Sequence, residues 1–147
     1  KLKTAYEIRN CDWSSDVCSS DLGTTQFMSQ QYLDCIPIIT VRDLATAKRF
    51  YLDVLGFQLD FDGPDVVGLL RDRVQFYLIV ATSQNRRQDP GTGNLVVLVE
   101  EVDSVFETCI AAGAEIIVEP DDRPYGQRDF ALRDPDGNVL VFAAEVS

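Results

Sequence analysis

The chain contains no histidine. Nothing in it can act as an imidazole base or supply the commonest transition-metal ligand. Methionine and tryptophan occur once each, as Met28 and Trp13. Lysine is almost as scarce, and beyond residue 3 only Lys48 remains. Helical spacing puts Lys48 on the exposed side of a helix, so no lysine nucleophile suggests itself. No apolar run approaches the roughly 20 residues of a membrane-spanning helix. Basic charge is also thin. Residues 28–147 hold twenty acidic against ten basic side chains, a net of −10 within the −11 of the whole chain. Such a domain repels nucleic acid and anionic membrane and attracts cationic ligands, besides keeping itself soluble.

Residues 1–22 differ in composition from the remainder of the chain and hold neither a period of 2 nor one of 3.6. They lack an apolar stretch of secretory length. KTAYEI and CDWSSDVCSSDL resemble the conceptual translation of a sequencing adaptor, with a natural leader or disordered tail as the alternative. The expectation is a loosely attached, non-native tail over 1–27, with Met28 a plausible start and 28–147 a single domain. Cys11, Cys18 and Trp13 fall in that tail. Cys35 and Cys109 lie among apolar neighbours, which suits two buried, reduced thiols in a cytoplasm.

Within the domain, Cys35–Val41 is a β-rich run and Asp43 a helix cap. Leu44, Ala47, Tyr51, Val54 and Leu55 recur at helical spacing up to Gly56. Phe57–Phe61, Asp65–Leu70 and Val74–Ala81 read as strands. Thr82–Gly93 is a long polar connection whose Arg86 and Arg87 read as a solvated loop. The order then repeats: strand Leu95–Val99, helical Val102, Phe106, Cys109 and Ile110, Gly113, and strand Ala114–Val118. A hairpin closes the chain, Asp129–Leu132 and Val139–Phe142 flanking Asp134-Pro135-Asp136-Gly137, with Tyr125 at its entrance. Val41 and Val99 lie 58 residues apart, and Gly56 and Gly113 lie 57 apart. We read two βαβββ repeats, about 33–81 and 94–145, in an α+β fold whose sheets must pair to bury enough surface.

VRDLATAKRFYLDVLGF, the paired repeat and RPYGQRDFALRDPDGN resemble the vicinal oxygen chelate superfamily of glyoxalases, bleomycin-resistance proteins and dioxygenases. The likeness covers about residues 33–145 and is greatest to the bleomycin-resistance proteins. It implies curled mixed sheets and a homodimer with two ligand crevices at the subunit boundary. It also implies an N-terminal strand able to exchange between subunits.

Enzymes of that superfamily hold a divalent metal through histidines and carboxylates. Counting along the motifs puts those positions at Ile36, Asn94, Phe76 and Val141. Three of these have no lone pair to offer, so neither a metal site nor any other cofactor is expected. Ligands displaced to Asp60 or Asp65 are the alternative. Among other acids, Asp134/Asp136 read as turn builders and Asp121/Asp122 as a solvated loop, rather than acid–base pairs. Gly91-Thr92-Gly93 lacks the strand–glycine–helix context of a phosphate loop and reads as a hairpin connection.

A binding function remains. By resemblance Tyr125 stands where bleomycin-resistance proteins place a drug-contacting Trp, and Asp60 and Phe61 match an Asp-Phe pair lining the groove. Each has a plainer reading as core or solvated surface. Val96, Val66 and Ile79 replace a groove Trp, Phe and Ser. Losing two aromatic faces removes roughly 1–3 kcal/mol of stacking and cation–π attraction. The expectation is a metal-independent, cytoplasmic, homodimeric protein with no catalytic residue. It would sequester a cationic, aromatic drug or metabolite and bind neither nucleic acid nor membrane. A glyoxalase- or dioxygenase-like enzyme with displaced ligands, or an interaction module with a vestigial crevice, are the alternatives.

Overall fold

The computed structural model describes residues 31–82 and 88–147. The expectations for the tail and for Arg86 and Arg87 lie wholly or mostly outside them. The chain divides into two units, 1–36 and 37–147. In the first, residues 31–36 form no strand, and Cys35 is exposed rather than buried.

The second unit holds both repeats. β1 (Ile38–Val41), α1 (Leu44–Arg49), β2 (Gln58–Asp62), β3 (Val66–Arg71) and β4 (Val74–Val80) make the first. β5 (Asn94–Leu98), α2 (Val102–Ala111), β6 (Glu115–Asp122), β7 (Gln127–Arg133) and β8 (Val139–Glu145) make the second. Each folds into a four-stranded mixed sheet of the same topology, β1-β4-β3-β2 and β5-β8-β7-β6. The outer pairs β1–β4 and β5–β8 are parallel and the others antiparallel.

Asp43 caps α1, its Oδ2 accepting from the Thr46 backbone N at 3.0 Å. The helix widens into a π turn over Phe50–Val54, where Leu55 N donates to Phe50 O at 3.3 Å. It stops at Gly56 with φ of +68°, a left-handed conformation costly for other residues. α2 carries Val102 and Cys109 inward, and burial pushes the Cys109 thiol up to about 11. One hydrophobic core runs through both repeats, from Ile39, Val41, Tyr51, Leu69 and Leu78 to Val97, Phe130, Leu132 and Phe142. Its rings pack edge-to-face around Tyr51, Phe57 and Phe76, and Phe130 stacks on Phe142 at 5.2 Å.

Three further readings change. β6 runs on past Val118 to Asp122, so Asp121 and Asp122 end a strand instead of occupying a loop. Gly91–Gly93 closes no hairpin, because β4 and β5 belong to different sheets. The segment instead lies against the final turn, with Gly93 N donating to Asn138 Oδ1 at 2.7 Å. Lys48 is half-buried and ion-paired to Asp62 at 2.8 Å rather than free on an exposed face.

That final turn ties the repeats together. Buried Asp134 accepts from the backbone N of Asp136 and Asn138 and from Asn138 Nδ2. Its Oδ2 also accepts from the Tyr51 hydroxyl at 2.8 Å, across the repeat boundary. Asn138 Nδ2 donates to Thr40 O at 3.2 Å, and Asp136 Oδ1 accepts from Arg42 N at 2.9 Å.

Candidate functional site

Successive strand residues point to opposite faces, and cross-strand partners share one. With Ile39, Val41, Val67, Leu69 and Leu78 in the core, the other face of the first sheet is fixed. One row on it is Phe61–Gly68–Tyr77–Ile38 and another is Val66–Ile79–Thr40. The Phe61 ring lies directly over Gly68, where any Cβ would collide with ring carbons. It meets Tyr77 edge-on at 5.1 Å. Asp60 sits at the bulge in β2, and its Oδ2 accepts from Gln75 Nε2 at 2.9 Å. Gln75 shares the face of Tyr77, so Asp60, Phe61, Val66 and Ile79 gather on one wall.

Tyr125 and Val96 belong to the other wall. On the second sheet the corresponding rows are Val118–Ala131–Val141–Val96 and Asp121–Asp129–Ala143–Leu98. They floor a cavity of about 410 Å³, lined by Val96, Val118, Ala131, Val141 and Ala143, with Arg123, Tyr125, Gln127 and Asp129 on its polar side. The β6–β7 turn raises Tyr125 to the rim: Gly126 N donates to Arg123 O at 3.0 Å and Pro124 occupies the corner. Tyr125 is 68% exposed and Val96 63%.

Asp129, missed by the sequence reading, is 8% exposed and faces this cavity. Its Oδ1 accepts from Arg123 Nε at 2.8 Å and its Oδ2 from the Tyr125 hydroxyl at 2.8 Å. Burial raises its pKa, but the hydrogen bonds from Tyr125 and Arg123 and the guanidinium charge outweigh that. The carboxyl is held below the usual range. The same bond to Asp129 raises the Tyr125 phenol and the Arg123 guanidinium above their ordinary values. The signal was present: Asp129 falls between Arg128 and Phe130 in β7, at the parity opposite the buried Phe130 and Leu132.

Register also corrects the metal-position count. Val141 pairs with Val96 as Tyr77 pairs with Ile38, so Tyr77 is the counterpart of Val141. Phe76 points the other way, 1% exposed in the aromatic core. Tyr77, Val141 and Asn94 offer at best a phenol and an amide, and Ile36 offers nothing. Asp60 is engaged by Gln75, and among the described residues no three His, Cys, Asp or Glu side chains come together. The donor set does not fit a divalent ion.

A larger depression of about 760 Å³ opens between the β3–β4 hairpin and the start of α2. Its aromatic members, Phe57 and Phe142, are 5% and 4% exposed, so it offers no free ring face. The smaller cavity under Tyr125 suits an aromatic guest better.

A family model described as the Glyoxalase/Bleomycin resistance protein/Dioxygenase superfamily matches residues 31–142. A bleomycin resistance protein of Geobacillus stearothermophilus is 27% identical over 78% of this chain and 98% of its own. The bleomycin-binding protein of Streptomyces verticillus, solved with copper(II)-bleomycin, superposes with a TM-score of 0.63 at 26% identity, covering 78% of this chain and 97% of that one. Lactoylglutathione lyase of Agrobacterium tumefaciens shares the fold, with a TM-score of 0.65 at 22% identity over 78% and 96% of the two chains.

Proposed function

This chain belongs to the glyoxalase/bleomycin resistance/dioxygenase superfamily, and from that premise we propose that it is a metal-independent binding protein of the bleomycin-resistance type. It captures a cationic, aromatic drug or metabolite and releases it slowly, without transforming it. The observation that carries this reading is the cavity of about 410 Å³: an aliphatic floor, an exposed Tyr125 ring at its rim, and beside it an ionised Asp129 that shares the Arg123 guanidinium with Asp121, two carboxylates to one cation. Flat π-faces with fixed negative charge are what an aromatic cation requires. The superfamily's alternative chemistry needs a metal shell that Tyr77, Val141 and Asn94 do not make.

The crevice is completed by a second copy of the chain, so that the Phe61 wall of one protomer faces the Tyr125 wall of its partner. Both faces expose apolar side chains that a dimer would cover: Phe61, Val96, Leu98 and Val118. We place the dimer in the cytoplasm. Among the described residues no helix is long and apolar enough to cross a membrane.

The test is a titration of bleomycin and related cationic glycopeptides, read by melting temperature, because a ligand of the native state raises it. Tyr125→Ala should weaken binding roughly three- to thirtyfold, the loss of one cation–π and stacking partner. Unchanged affinity in both Tyr125→Ala and Tyr125→Phe removes Tyr125 from the site. A stoichiometric transition ion retained through purification would overturn the metal-free reading.

A further inference from the structure

Asp129 turns its carboxylate toward the cavity, and each oxygen already holds one protein donor. Oδ1 takes Arg123 Nε and Oδ2 takes the Tyr125 hydroxyl, while the group lines the cavity at 8% exposure. The two partners are not equally fixed. Arg123 is largely covered, its side chain 23% exposed and reaching Asp121 at 3.6 Å as well. Tyr125 is 68% exposed and is held here by its hydroxyl.

We infer that Asp129 is the specificity-determining anchor of the crevice. In this inference an N–H-bearing cation of the ligand, a primary ammonium or guanidinium, displaces the Tyr125 hydroxyl from Oδ2. The phenol already donates to an ionised acceptor, but an ammonium or guanidinium brings a full positive charge to the same oxygen, and that added attraction runs the exchange toward the ligand. Arg123 stays on Oδ1 and keeps the carboxylate ionised and aimed. The released Tyr125 ring turns onto the apolar body of the guest. Tyr125 is thus a placeholder when the crevice is empty and a stacking face when it is full. The inference rests on the binding reading above, but it adds a selectivity that reading does not require. A quaternary ammonium satisfies the ring and the charge yet has no N–H for Oδ2.

Benzylammonium and benzyltrimethylammonium, titrated into the full chain and followed by the backbone amide shifts of Gly126, Gln127 and Asp129, separate these cases. Benzylammonium should bind about tenfold tighter than its trimethylated partner. Tyr125→Phe keeps the ring and removes the competing hydroxyl. It should tighten benzylammonium about three- to tenfold and leave benzyltrimethylammonium within about twofold, the difference being one phenol–carboxylate hydrogen bond at the exposed rim, partly offset by water, no longer displaced. Asp129→Asn should erase the preference. Equal affinities for the two probes, or a Tyr125→Phe variant that binds benzylammonium more weakly, would overturn the exchange and leave the binding reading standing. Silence of those amides with both probes would overturn the exchange too, and failure of the glycopeptide titration as well would remove the binding reading.

Discussion

Tyr51 has no exposed surface, and its hydroxyl donates to a carboxylate 83 residues further along the chain. Its place in the core was legible from helical spacing; its partner was not, because periodicity tells which way a side chain points and not what it meets. Tyr51→Phe preserves the ring packing on Phe57 and Phe76 and removes one buried bond. It should cost about 1–2 kcal/mol in urea unfolding with the slope unchanged. Burial first, and then the negative charge of Asp134, raises the Tyr51 pKa above its ordinary value. A raised folded pKa gives stability that is complete below the unfolded value of about 10 and lost as pH rises beyond it. Stability measured from neutral to strongly alkaline pH should therefore fall less steeply in Tyr51→Phe than in the parent. Asp129 was legible only in part: parity sets it opposite the buried Phe130 and Leu132, but it does not show that Arg123 and Tyr125 converge on it.

The elements themselves were largely readable, and their departures have local causes. β6, expected to end at Val118, runs on through Pro120, which cannot donate to a ladder. β6 pairs only with β7, and register shifts between Ile116 and Asp121 absorb the proline, as edge strands permit. The hairpin misreading of Gly91–Gly93 arose because two apolar runs joined by glycines look alike whether they pair with each other or with distant parallel partners. Asn138 shows what that segment does instead. It joins Gly93 N, Thr40 O and Asp134 in one buried cluster. Asn138→Ala leaves a buried amide and carbonyl without their partner and should cost about 2–4 kcal/mol, lowering the denaturation midpoint. A loss below about 0.5 kcal/mol would mean that water replaces the side chain there without penalty.

At the scale of the molecule, the duplicated topology and the shared core were evident from the paired spacings, whereas the division of the six candidate residues between two sheets was not. Four lie on one wall and two on the other, since nothing in a sequence says that a site is assembled from separate faces. If two copies complete it, light scattering or sedimentation should show a dimer. Leu98→Glu, at a position 68% exposed, should weaken that dimer by at least about tenfold by burying an unpaired charge, and weaken ligand capture with it. A monomer that binds at full strength would refute the shared crevice. The register also shows that the duplicated walls are no longer copies. Phe61 stands opposite Gly68 where Val118 stands opposite Ala131, and Val66 holds the place of Asp129. In the crevice proposed above, a guest lying between such unlike surfaces would have a head end and a tail end. It would settle in one polarity only, since reversing it would set its ionic group against hydrocarbon and its flat ring against a carboxylate.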